Sequence, residues 1–377
     1  MDKRRKWIAP LAVLALTGVV AGCGTSNHTE SGNASIGDAK DAGSSTSNKH
    51  LGTITLYTSD GLEDYYKTVL PQFEKEYGAK VVMVDDGSGA VVNRLDIEKN
   101  SPKADVVVTM PPFVQQAQQE GLLQSYKSTA WNDIPSSRKD TNGYWETFID
   151  NYVNFAFNPQ LTPNPPKTFN DLLSAQYKNE IAYSNPQSAG DGMAVLIMAQ
   201  QLWGTQKAMS YLKSLEPSVK FHTQGTGYLD VLLNRGEIKV ANGDLQMDMA
   251  DKVQGGMSLQ PLFLEPSAGQ KPVTFEDPYV IGLVKNAPNT AGGEALINYL
   301  LSKSAQEETY SIFGLPARTD IPATTANAKE IESMLNGVQV LPIDWTNVLK
   351  NQTQWQSMWQ SEVLNAYGKQ GSVTGNE

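Results

Sequence analysis

The chemistry this chain offers begins at Val84-Asp85-Asp86-Gly87-Ser88-Gly89-Ala90-Val91-Val92. An apolar, strand-like run, 80–84, leads in, and a helix-compatible run, 90–99, leads out. Gly-Ser-Gly between them is small enough to let a ligand approach the backbone. Free N–H groups at a helix start, at the positive end of its dipole, bind an anion without any basic side chain. An ordinary tight turn with a Ser cap has the same residues. Two further units of this kind follow. Ser184-Asn185-Pro186-Gln187-Ser188-Ala189-Gly190-Asp191-Gly192 precedes an apolar helix over 193–203, and Gln224-Gly225-Thr226-Gly227 precedes a helix over 228–235. Any one could be a plain turn, but three spread over both halves suit a cleft that grips an anion from two sides.

Other chemistries lack material. Three His are present, His28, His50 and His222, and only His222 falls in the expected folded body. Ser-His-Asp catalysis and multi-His metal sites are therefore poorly supplied, no nucleophile–base pair is visible, and His222 reads as structural. The single Cys, Cys23, allows no internal disulfide and no Cys-based metal site. No metal and no cofactor are expected. The net charge is −10, and removal of residues 1–22, with four bases and one acid, leaves −13. That balance argues against nucleic acid or an anionic membrane as principal partner.

The elements that must hold these residues alternate. A strand over 53–57 runs into Thr58-Ser59-Asp60-Gly61, and residues 62–77 carry apolar side chains at helical spacing. A third strand over 104–110 ends at Thr109-Met110-Pro111-Pro112-Phe113. Strand–helix–strand order implies an α/β fold with a parallel sheet and ligands beyond the strands' C-terminal ends, where Asp60, Ser88 and Thr109 fall. The run 152–157 alternates as a strand that could cross into a second lobe, and 278–284 is another strand. A chain of 377 residues exceeds what one core usually serves, so two lobes are expected.

Lys3-Arg4-Arg5-Lys6 and the short apolar run 7–20 make residues 1–22 a signal peptide. Val20-Ala21-Gly22-Cys23 resembles the lipobox of bacterial lipoproteins, which implies a lipidated Cys23 as the mature N-terminus. Residues 24–50 are rich in Gly, Ser, Asn and Thr. They form a flexible tether with a reach of roughly 30 Å.

From Leu51 onward the chain resembles the solute-binding proteins of bacterial ABC importers, in the group with ferric-ion and thiamine binders. The nearer resemblance is to 2-aminoethylphosphonate-binding proteins. It is carried by 57–62, 87–92, 104–113, by Gly236-Glu237-Ile238-Lys239-Val240-Ala241-Asn242-Gly243-Asp244-Leu245-Gln246-Met247, by 278–284, and by Gly314-Leu315-Pro316-Ala317-Arg318. Two positions depart from the pattern: Asp277 precedes Pro278 where an uncharged residue is expected, and Asp248 stands where an amide is usual. The tandem Tyr65-Tyr66 lies in an early helix with core spacing, which argues against ferric binding.

The resemblance implies the two-lobed periplasmic-binding-protein fold, with a hinge and the ligand in the cleft. Residues 51–150 start lobe 1, 151–277 form lobe 2, and 278–377 return to lobe 1 and add C-terminal helices across both. It implies a ligand with a phosphonate and an ammonium, and no chemistry performed on it. Ser88, Gly89 and Ala90 would face the phosphonate from lobe 1, with Ser59 and Thr109 at neighbouring strand ends. Ser188, Ala189 and Gly190 would face it from lobe 2, with Thr226. Asp60 or Asp244 would read the ammonium, with Glu63, Asp248 and Asp277 in reserve. Tyr57 and Tyr279 would wall the pocket or pack in the core. Expected partners are an ABC permease and a lipid anchor on the outer face of the cell membrane, with the protein working as a monomer. The alternatives are another small solute (ferric ion, a phosphate ester, a thiamine-like compound) or a non-transport sensory lipoprotein.

Overall fold

Apolar strand residues and amphipathic helices alternate through the first lobe. β1 (Gly52–Ser59) is followed by α1 (Glu63–Tyr77), which buries Tyr65, Tyr66, Val69, Leu70 and Phe73 on one face. Gly78, at φ 56°, ends that helix and donates its N–H to the Glu74 carbonyl, a left-handed stop that suits glycine. β2 (Ala79–Asp86), α2 (Ser88–Glu98), β3 (Val106–Thr109), α3 (Phe113–Gln119), β4 (Leu123–Gln124) and β5 (Glu146–Asp150) complete this stretch. The computed structural model describes residues 50–367 and 372–373. The leader, Cys23 and all but the last residue of the tether therefore lie outside the described residues.

The chain crosses at Asn151–Tyr152 into a second sheet. There it forms β6 (Val153–Phe157), β7 (Ile181–Ser184), α4 (Gly190–Leu215), β8 (Val219–Thr223), α5 (Tyr228–Asn234), β9 (Val240–Asp244), α6 (Leu245–Val253) and β10 (Gln260–Leu262). After β11 (Val273–Thr274) it returns through Glu276–Pro278 to β12 (Tyr279–Val284) and β13 (Leu315–Pro316). β14 (Gln339–Val340) pairs with β11, and β15 (Ser372–Val373) with β8.

The first sheet has the order β13-β5-β12-β3-β1-β2 with β4 on β12, and the second runs β10-β6-β9-β7-β8-β15. β1 is parallel to both β2 and β3, and β7 is parallel to both β8 and β9, so each lobe points several strand ends the same way. Helix α4 is longer than the apolar run 193–203 suggests. It begins at Gly190, kinks at Gly204 (φ 70°) and continues to Leu215.

Apolar packing ties the lobes together. One buried cluster joins Val91, Val92 and Leu95 of α2 to Met193, Leu196 and Ile197 of α4, with Trp355 and Trp359 from the C-terminal region. The helix Trp345–Met358 touches both lobes: Gln352 Nε2 donates to Gln116 Oε1 (2.9 Å), and Gln356 Nε2 to the Pro186 carbonyl (2.8 Å). Tyr65 and Tyr66 pack edge and face against Phe148 inside the first lobe, away from the cleft. His222 is buried, with Nε2 2.9 Å from Glu216 Oε1 and its ring against Tyr183 and Trp359.

Candidate functional site

The strand ends of the two sheets face each other across a cleft of about 730 Å³. β1 delivers Ser59 and Asp60, the β2–α2 turn Gly87 and Ser88, and β3 Thr109. From the other lobe come Ser184 and the turn into α4, the Gln224–Gly227 turn, and Asp244 at the end of β9. The outer part of the cleft is acidic: Asp60, Glu63, Asp64, Asp85, Asp86 and Asp251 line it, and Arg235 is the cation among the lining residues.

The α2 end of the site is already engaged by protein. The N–H groups of Gly89 and Ala90 both donate to the Ser188 carbonyl, at 2.9 and 3.3 Å. Neither serine caps its helix, because Gly87 and Ala189 occupy the cap positions and accept no side-chain bond. Ser88 Oγ lies 2.9 Å from Ser59 Oγ, and Thr109 Oγ1 donates to the Ser88 carbonyl at 2.9 Å. Ser188 Oγ donates to the Gln224 carbonyl (2.7 Å).

The α4 end differs. Among the described residues, the N–H groups of Gly190, Asp191 and Gly192 find no backbone carbonyl, and Ala189 offers no cap. A Cβ at Gly190 would stand 2.6 Å from Met110 Sδ and 2.9 Å from Ser88 Oγ. The first turn of α4, with these N–H groups unpaired to backbone, therefore packs against the Ser88 hydroxyl and Met110, and N–H and O–H donors of this kind suit an anion. Thr226 adds a hydroxyl nearby, 3.1 Å from Ser184 Oγ, while its N–H is committed elsewhere.

That commitment is to Asp60. Its Oδ2 accepts the N–H groups of Thr226 (2.8 Å) and Gly227 (3.0 Å) across the lobes. Burial pushes its pKa up to about 6, against the pull of these two bonds. Asp244 Oδ1 accepts the Met247 N–H and so caps α6, while its Oδ2 lies 3.1 Å from the Tyr279 hydroxyl. That hydroxyl is also 3.3 Å from the Asp60 carbonyl, which places Tyr279 at the junction of the lobes.

Two further carboxylates complete the group. Asp191 and Asp277 are buried, and burial raises both far above the usual carboxylate range, helped for Asp191 by the charges of Asp244, Asp277 and Asp60 and for Asp277 by that of Asp244. Asp191 Oδ1 and both oxygens of Asp277 have no hydrogen-bond partner among the described residues. Asp191 escaped sequence reasoning because an acid in a helix's first turn normally answers the dipole. Of the reserve acids, Asp248 is turned to Asn154 Nδ2 (2.6 Å), and Glu63 belongs to the outer cleft beside Asp85.

One expected pocket residue requires correction. Tyr57 does not wall the cleft: it packs under α2 with Val91, Val92 and Leu95. Its hydroxyl donates to Glu98 Oε2 (2.7 Å) at the far end of that helix, and Arg94 covers its ring at 4.8 Å. Strand alternation turns it to the α2 face of the sheet. No group of three or more His, Cys, Asp or Glu is arranged to hold a metal ion among the described residues.

Comparison with known proteins agrees with this architecture. Residues 54–309 match the family model of bacterial extracellular solute-binding proteins. The chain is 36% identical over 312 residues to a candidate 2-aminoethylphosphonate-binding periplasmic protein of Salmonella paratyphi A, covering 81% of this chain and 91% of the relative. A thiamine-binding periplasmic protein of Brucella suis is 25% identical over 191 residues, which is 49% of this chain and 56% of the relative. In structure, the periplasmic binding protein P5PA superposes with a TM-score of 0.74 at 21% identity, covering 83% of this chain and 99% of the other. AfuA of Actinobacillus pleuropneumoniae, with fructose-6-phosphate bound, gives 0.73 at 23%, covering 83% and 98%. Two-lobed periplasmic binding proteins thus share this fold. The chain belongs to the bacterial extracellular solute-binding proteins, exported receptors that capture a small molecule for an ABC permease and are not enzymes.

Proposed function

We propose that this receptor captures 2-aminoethylphosphonate or a closely related aminophosphonate and passes it to its permease by closing the two lobes. Residues 51–150 and the return after 278 would act as one lobe, and 151–277 as the other. The observation that carries the reading is the nearness of two opposite chemistries at the junction of the lobes. The open first turn of α4 and the Ser88 hydroxyl suit a doubly or singly charged phosphonate. Beside them, Asp60, Asp191, Asp244 and Asp277 present carboxylates whose charged neighbours are again carboxylates, which suits an ammonium. The 36% identity to the Salmonella protein supports the same ligand. Closure follows from such a site, because a ligand that touches both lobes binds the closed form better.

Calorimetry on the purified protein tests this. 2-Aminoethylphosphonate is expected to bind, with ethylphosphonate weaker by about a hundredfold, since charged hydrogen bonds are worth roughly 1.5–3 kcal/mol each. Equal binding of the two would remove the ammonium from the reading, and binding of ferric citrate or phosphate alone would replace the ligand. We further infer that Cys23 carries the lipid anchor and that the protein acts as a monomer. The Val-Ala-Gly-Cys sequence supports the anchor. Metabolic labelling with an alkyne fatty acid should mark the wild type and spare Cys23→Ser.

A further inference from the structure

Two of the segments that join the lobes lie side by side. Asn151–Tyr152 leads from β5 into β6, and Glu276–Pro278 leads back to β12. The Asp277 N–H donates to the Asn151 carbonyl at 3.0 Å, and Tyr152 bridges antiparallel to Glu276. Asp277 therefore sits on the crossing itself.

Its side chain is 1% exposed, and neither oxygen has a partner among the described residues. An isolated buried carboxylate is a costly thing to fold around. The Asn151 side chain does not relieve it: its Oδ1 accepts the Tyr152 and Gln246 N–H groups, and its Nδ2 is itself unpartnered. Other acids of the group are spoken for. Asp60 Oδ2 takes two backbone N–H groups, and Asp244 takes the Met247 N–H and faces the Tyr279 hydroxyl. Among the described residues, the fully buried acceptors of the group without a partner are Asp191 Oδ1 and both oxygens of Asp277.

We propose that Asp277, together with Asp191, determines the receptor's specificity for the cationic end of its ligand, and that the group it selects is a primary ammonium. This rests on the reading that the interlobe space takes a zwitterionic phosphonate. A primary ammonium has three N–H donors to share among such unpartnered carboxylate oxygens. Each N-methylation removes a donor and adds bulk, and a quaternary ammonium keeps the charge with no donor at all. Quaternary groups are held by open aromatic faces. Here the aromatic residue of the group, Tyr279, is buried with its hydroxyl turned to Asp244.

Proton release accompanies such binding. In the empty site burial and like charge hold Asp191 and Asp277 protonated well above the ordinary carboxylate range. The groups that face them are Asp60 from β1, Asp244 from β9 and Tyr279 from β12. An arriving ammonium favours the ionised acids, so the bound state holds fewer protons. Affinity therefore rises with pH until the empty site's acids ionise unaided.

The test is calorimetry on the full chain, wild type and Asp277→Asn, in two buffers of different ionisation heat. The ligands are 2-aminoethylphosphonate, its N,N,N-trimethyl analogue and ethylphosphonate. The wild type should prefer the primary amine to the trimethyl compound by at least a hundredfold and release protons on binding it. Asp277→Asn should lose at least tenfold for 2-aminoethylphosphonate, with a smaller change for ethylphosphonate and less proton release. Unchanged 2-aminoethylphosphonate affinity in Asp277→Asn, or equal wild-type binding of the trimethyl analogue, overturns the assignment while leaving the ligand class intact. The trimethyl comparison uses the wild type alone, so it decides even if the variant folds poorly. Wild-type binding of none of the three phosphonates overturns the ligand reading and the assignment together.

Discussion

Helices α2 and α4 begin alike and end up with different jobs. Each follows a strand through a turn of small residues, and neither has a side-chain cap. At α2 the Gly89 and Ala90 N–H groups meet the Ser188 carbonyl of the opposite lobe. At α4 the Gly190, Asp191 and Gly192 N–H groups meet no backbone carbonyl among the described residues. The same local geometry meets a carbonyl of the opposite lobe in one place and leaves its N–H groups without a backbone partner in the other. What the facing lobe presents decides between them: a backbone carbonyl opposite α2, a Ser hydroxyl and a Met side chain opposite α4. A helix N-terminus marks a place where an acceptor belongs, and the fold settles whether that acceptor is protein or ligand.

The largest effect should come from breaking the α2 side. Gly87 has φ −58° and ψ 149°, a conformation open to any residue, so Gly87→Ala costs little within its own lobe. Its Cβ would stand 2.4 Å from the Ser188 carbonyl oxygen and 3.1 Å from that of Gln224, both on the other lobe. The clash arises only when the lobes meet. An overpacking penalty of about 2 kcal/mol corresponds to roughly a thirtyfold loss of ligand affinity. Calorimetry measures the loss, and small-angle scattering should show that the ligand no longer contracts the variant. Wild-type affinity with normal contraction would mean that α2 is not a closing contact.

Much of this arrangement can be read from residues alone, and what cannot has a common cause. Gly87-Ser88-Gly89, Ser188-Ala189-Gly190 and Gly225-Thr226-Gly227 stand out because strand-like and helix-like periodicities change across them. Asp60 and Asp244 stand at strand ends, and both reach the lobe junction through the bonds of Asp60 to Thr226 and Asp244 to Tyr279. The sequence leaves Tyr57 open between cleft wall and core because both faces of a covered parallel sheet are apolar, and alternation alone does not say which face looks towards the cleft. Asp191 looks like an ordinary first-turn acid, and Asp277 stands out as a charged departure from the family pattern and a reserve reader of the ammonium. They become a pair only because two crossing segments and the start of α4 converge, which no local pattern encodes. Ser88 and Ser188 are a third case, open in the sequence between anion donor and helix cap. A Ser before a helix suggests a cap, yet the true cap positions are Gly87 and Ala189, which frees both hydroxyls for other partners.

Those two hydroxyls sharpen the comparison with a smaller effect. Ser88 Oγ is 2.9 Å from Ser59 Oγ and sits against Gly190, so it can turn a proton towards an anion held by the first turn of α4. Ser188 Oγ spends its proton on the Gln224 carbonyl at 2.7 Å, within its own lobe. Ser88→Ala should remove one donor to a charged group, about 1.5 kcal/mol and hence roughly a tenfold loss of affinity for the phosphonate. Ser188→Ala should instead cost about 1 kcal/mol of thermal stability, with affinity within roughly threefold of the wild type, because it loses a neutral bond that its hydroxyl spends within its own lobe. Titration and thermal melting of both variants separate the two outcomes. A larger affinity loss at Ser188 than at Ser88 would place the anion away from α4 and reverse the roles of the two helices.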